Sequence, residues 1–196
     1  MPLQSHNVDA RVRRAYHARE PVPAFPVQLR LFQDETSAAR DQAWLNGQLE
    51  RIWSTWFWDV ERITPVSIRY VRPWKRRLAV IYLTDGDRRS LIGVNRLLRD
   101  QRVPYTVCLV TIAHELVHYA HGFGSHHPRR YRHPHRGNVV QRELTRRGLG
   151  AELRFYTEWT NEVWFELLPE LTRDPRIHLA GPAANEPDSL AAARVD

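Results

Sequence analysis

Apolar side chains recur at helical spacing through the first third of the chain. Trp44, Leu45, Leu49, Ile52, Trp53 and Trp56 share one face, which predicts a helix from Thr36 to Val60, capped by Asp34 or Thr36. The stripe reads as a core face rather than a ligand platform. Three strand-like runs follow. Val66–Val71 alternates, Leu78–Leu83 is apolar and β-branched, and Ser90–Asn95 completes the set. They are joined by residues 72–77 and by Thr84-Asp85-Gly86-Asp87, an Asp-Gly turn signal, so a short antiparallel meander is expected. Pro104 then opens a helix that runs to about His121, proline being suited to a first turn. Tyr105, Val107, Leu109, Val110, Ile112, Leu116 and Val117 cover nearly its whole circumference, and a helix apolar all round is buried. Further helices are predicted over residues 137–148, polar and Arg-rich, and over about 156–170, with Tyr156, Trp159, Val163, Trp164, Leu167 and Leu168. The expected class is α+β: a small meander packed on a buried helix, with flanking helices.

The ends are of a different character. Residues 1–26 are polar and broken by Pro21, Pro23 and Pro26, as in a flexible arm, and residues 179–196 have the composition of a disordered tail. One domain over residues 27–178 remains.

Polar residues inside a buried helix need partners. Those of the central helix are His114, Glu115 and His118, in the order H-E-x-x-H. Residues four apart lie one turn above each other on one face, so two imidazoles can grip one metal ion. Glu115 lies roughly 100° round the helix from His114, beside the ion rather than on it. A zinc hydrolase needs this set: two ligands, and a carboxylate to act as general base for zinc-bound water. A third ligand must come from elsewhere. His126, His127, His133 and His135 crowd into ten Arg-rich residues downstream of the helix. Glu143 is a weaker candidate, and His121 falls on nearly the same helix face as His118.

The histidine spacing carries a resemblance. HELVH, a loop, then His135-Arg136-Gly137-Asn138-Val139 opening a helix is similar to the SprT-like (Spartan-type) zinc metallopeptidases, with their small, minigluzincin-like catalytic core. Val139 stands where that family usually carries Phe or Trp. The order of helix, three strands ending in Ile92-Gly93-Val94-Asn95, then the H-E-x-x-H helix also resembles the family, over residues 36–150. The resemblance implies a zincin-like fold, one Zn2+ held by His114, His118 and His135, catalysis by Glu115, and a protein or peptide substrate lying as an added strand on the sheet edge. Tyr131, His133 and Arg136 are then candidates to stabilise the oxyanion. A second resemblance points elsewhere for the third ligand: Trp159-Thr160-Asn161-Glu162 is similar to the N-E motif that supplies a glutamate ligand in gluzincin peptidases.

Composition narrows the chemistry. The only cysteine, Cys108, excludes an intramolecular disulfide and a thiolate-rich metal site, so zinc would be held by His and carboxylates. The net charge is +7, carried by Arg apart from the lone Lys75. Arg72–Arg77 with Trp74, and Arg129–Arg136 with Tyr131, mix cations and aromatics as single-strand binders do, so DNA or a DNA-bound protein is a possible partner. The competing classes are a basic nucleic-acid-binding protein with a structural metal site, and a zinc hydrolase of a non-peptide bond. No apolar leader precedes Pro26, and the run Val103–Ala113 is too short to cross a bilayer, so a soluble cytoplasmic protein without membrane contact is expected.

Overall fold

The computed structural model describes residues 39–175. The expected arm, the expected tail and the expected caps Asp34 and Thr36 lie outside the described residues.

Helix α1 spans Gln42–Trp56, shorter than its apolar pattern suggests. Asp41 caps it, accepting a hydrogen bond from the Trp44 amide at 2.8 Å and satisfying an otherwise orphaned donor. Leu45, Leu49, Ile52, Trp53 and Trp56 are buried, so the stripe is core, and Trp44 sits at its half-buried margin.

Strands β1 (Val66–Val71), β2 (Ala79–Thr84) and β3 (Arg89–Asn95) form one sheet. Its order is β1-β3-β2, with β3 parallel to β1 and antiparallel to β2. This corrects the antiparallel meander expected from the sequence: only β2 and β3 form a hairpin. Two causes are visible. Every residue of β3 after Arg89 is buried, whereas β2 is half-buried throughout, so β3 belongs in the centre. The link from β1 to β2 is also too long for a tight turn, and it straddles the end of β3. Asn95, the last residue of β3, fixes it there by donating to the Trp74 carbonyl at 2.8 Å and the Arg77 carbonyl at 2.9 Å. The β2–β3 turn uses Asp85, Gly86 and Asp87, all at positive φ, as an Asp-Gly turn can.

Helix α2 spans Tyr105–Ala120 behind Pro104. All of it is buried except Tyr105, Thr106 and His114. It packs against β2 and β3 on one side and against α1 and the later helices on the other. Helix α3 (Val139–Arg146) follows a short 3-10 turn at Arg136–Asn138. The last helical region is two helices, α4 (Gly150–Glu162) and α5 (Trp164–Arg173), broken at Val163. The break lets Trp159 and Trp164 both bury, their rings 6.2 Å apart. The class is α+β, with five helices and a three-stranded mixed sheet among the described residues. Among the described residues no helix is long and apolar enough to cross a membrane.

Candidate metal centre

His114 and His118 project from one face of α2, and their Nε2 atoms face each other at 3.0 Å. The third imidazole at this point is His135: its ring centroid lies 5.5 Å from that of His114 and 4.7 Å from that of His118. One nitrogen from each ring falls within 4.8 Å of the other two. Nitrogens held at zinc distance in a tetrahedral site are about 3.3 Å apart, so the cluster is near the size the ion requires. Three neutral imidazoles with no thiolate form a donor set suited to zinc. The Nδ1 of His118 is buried without a partner among the described residues.

His135 reaches the helix because the chain after it turns sharply. Gly137 and Asn138 are both left-handed, with φ of 71° and 55°. Glycine adopts this without cost, and asparagine is the side chain that tolerates it best. Arg142 then donates to the Gly137 carbonyl and closes the turn. The loop before His135 is anchored as well. Gly122 has φ of 77°, and a Cβ there would lie 2.4 Å from the His127 carbonyl, so only glycine lets the chain fold back on the end of α2.

The other histidines are placed differently. His127 donates through its ring to the Glu61 carbonyl at 2.8 Å, and the His126 amide donates to Thr64. His121 is buried edge-on to Tyr131, with ring centroids 4.9 Å apart, neither in the cluster nor facing solvent. His133 and Arg136 line the cleft beside the cluster, whereas Tyr131 does not. Glu143 is held by Arg146 and Arg147. Glu162 is exposed at the end of α4 and outside the cluster.

Glu115 is buried beside the histidines and accepts a hydrogen bond from the Ile81 amide of β2. Burial pushes its carboxyl up to about 8, with Arg77 and the Ile81 amide pulling weakly the other way. Burial likewise lowers His114 to about 4, aided by His135. His118 and His135 are lowered too, mainly by burial. The imidazoles are thus neutral at physiological pH, the form that binds metal.

The cluster opens into a cleft of about 1360 Å³, walled by Arg72, residues 74–81, Phe123, residues 133–136 and Tyr156. Tyr156 is the group the sequence reading missed. Its place on an apolar helix face suggested core, yet its hydroxyl approaches Thr111 and Glu115. Burial raises the phenol above its usual range, so it keeps its proton and can donate. Its only signal was being a polar-tipped aromatic in an otherwise apolar row. Comparisons of the chain with family models, with curated proteins and with solved structures found no match.

Proposed function

We propose that this protein is a zinc-dependent peptidase in which His114, His118 and His135 hold the ion and Glu115 is the general base. One observation carries the reading: three imidazole nitrogens converge within 4.8 Å, with a buried carboxylate on the same helix, at the wall of an open cleft. A structural zinc site is closed by four protein ligands. Here three converge among the described residues, on the side that faces the cleft.

Zinc bound there would lower the pKa of a coordinated water and polarise the substrate carbonyl. Glu115 takes the proton of the attacking water and delivers it to the leaving amine. Tyr156, His133 and Arg136 border the same space and can donate to the developing oxyanion. Strand β2 is at the edge of the sheet and its first half walls the cleft, which suits an extended peptide lying beside it.

The test combines metal analysis with hydrolysis of an unfolded protein. The zinc-loaded chain should cleave it, a chelator should stop cleavage, and zinc should restore it. His135→Ala should lose the metal and the activity, while Glu162→Ala should keep both. Metal lost from the Glu162 variant alone, or cleavage that survives Glu115→Gln, would refute the assignment.

A further inference from the structure

Several cations outside the cleft are matched by carboxylates of the same chain. Arg62 pairs with Glu50, Arg89 with Asp85, Arg102 with Asp100 and Glu170, and Arg147 with Asp59 and Glu143. The cleft has another balance. Arg72, Lys75, Arg76, Arg77 and Arg136 line it, and Glu115 is the sole carboxylate in the lining. Glu115 is sunk beside the histidines, out of contact with any of these cations in the ion pairs of the described residues. Arg72 and Arg77 have interactions of their own. Lys75, Arg76 and Arg136 are exposed and in no ion pair among the described residues.

This charge is held in place. The loop that bears Lys75 and Arg76 is pinned by Asn95 at both Trp74 and Arg77, and the Trp164 indole donates to the Lys75 carbonyl at 2.8 Å. Arg136 follows directly on His135. Like charges that line a cleft focus the field on what enters it.

We propose that the cleft selects an acidic polypeptide, one with Asp or Glu near the segment at the histidines. The inference rests on the peptidase reading for what is done to that segment, and on charge alone for its selection. Acidic protein is favoured over single-stranded nucleic acid by the state of the aromatics. Stacking platforms need open ring faces. Here the Arg77 guanidinium lies over the Trp74 ring at 5.7 Å, and Tyr131 packs on His121 outside the cleft lining. Strand β2 is an edge strand and its first half lies in the cleft wall, where a peptide can seek main-chain pairing.

The test reads binding, without turnover, in the zinc-loaded full chain carrying Glu115→Gln. Fluorescence anisotropy compares an unstructured peptide rich in Asp and Glu, its counterpart with Lys and Arg at those positions, and a single-stranded oligonucleotide. The acidic peptide should bind at least about tenfold more tightly than the basic one, and less tightly as salt is raised. Combined Lys75→Glu, Arg76→Glu and Arg136→Glu should remove most of that preference, while Arg88→Glu, outside the cleft lining, should not. Single reversals at Arg76 and Arg136 carry the same expectation if the triple variant unfolds. Equal binding of the two peptides overturns the inference, and so does tighter binding of the oligonucleotide that is lost in the same reversals. Binding of the acidic peptide by a chain that hydrolyses nothing would leave this inference standing and remove the peptidase reading. Hydrolysis without a charge preference in binding would do the reverse.

Discussion

Two buried glutamates, each on a helix, have been treated in opposite ways by this chain. Glu143 on α3 receives Arg146 at 2.6 Å and Arg147 at 2.8 Å, and Arg147 continues to Asp59 and to the Trp56 carbonyl. Burial alone would raise its carboxyl, but the two guanidiniums outweigh that and hold it below its usual range. Glu115 on α2 accepts from the Ile81 amide and feels the charge of Arg77, with no ion pair among the described residues, and burial wins. Glu143 is therefore a fixed anion that ties α3 to the end of α1. Glu115 is a carboxyl whose proton is held near neutral pH, next to three converging imidazole nitrogens. A buried carboxylate left short of partners is costly, so a chain that supplies arginines for one and withholds them from the other has separated architecture from chemistry.

Replacing each by glutamine should show this separation most strongly in activity. Glu115→Gln should lower peptide hydrolysis by about 10²- to 10⁴-fold, the usual worth of a positioned base, with zinc content unchanged. Glu143→Gln should leave turnover intact at low temperature. Comparable loss of hydrolysis in both variants, normalised to folded protein, would erase the distinction.

The ranking inverts in stability. Glu143→Gln leaves the buried Arg147 short of one carboxylate and should cost about 3 kcal/mol in urea unfolding, since breaking a buried pair strands its partner. Arg147 keeps Asp59, which holds the loss near the low end of that class. An unfolding free energy within 0.5 kcal/mol or so of the parent, the range of an ordinary surface change, would mean that the network is ornamental to the fold.

The two carboxyls should also give opposite slopes of stability with pH in the metal-free chain. Glu115 is raised in the folded state, from 4.5 to about 8. Below pH 4.5 it is protonated whether folded or not and costs nothing. As pH rises toward 8 the unfolded chain ionises it and the folded chain does not, so stability falls. The full shift corresponds to about 5 kcal/mol. Relaxation and water entry reduce such values, and on the order of 2 kcal/mol is expected. Glu143 is lowered, so its contribution is present above its usual value and is lost as pH falls through the folded one. The difference between the parent and Glu115→Gln isolates the first effect, because His114, His118 and His135 contribute alike to both chains. Their own contribution has the other sign, destabilising the folded state as pH falls below 6.5. A difference that stays flat from pH 4.5 to 8 would show that Glu115 is already ionised in the fold.

Much of this contrast could be read in the sequence, and the unread part has a common cause. H-E-x-x-H on a helix apolar all round marks His114, Glu115 and His118 because spacing within one helix is local geometry. His135 was reached through a family resemblance, since the turn at Gly137 and Asn138 that brings it to α2 is seen only in the folded chain. Glu143 was a weaker candidate for the third ligand, because the meeting of Arg147 with Asp59, which completes its network, happens only in the folded chain. The place of β3 between β1 and β2 was missed for the same reason. Pattern reports that a strand is apolar, while its neighbours depend on which strand is buried on both faces. Tyr156 was placed with the core because a helix face does not reveal that one of its members borders a cleft.

Arg77 offers the finest comparison of the two carboxyls. It acts on Glu115 through space and weakly, whereas Arg146 and Arg147 act on Glu143 by contact. In the metal-free chain, Arg77→Gln should make ionised Glu115 more costly and steepen the loss of stability between pH 4.5 and 8, by less than about 1 kcal/mol. The steepening should vanish when Glu115→Gln is also present, since Arg77 then has no carboxylate to act upon. A double variant that still steepens would mean that Arg77 acts through its other contacts, and the ease with which Glu115 keeps its proton would then owe nothing to the distance at which the fold holds that arginine.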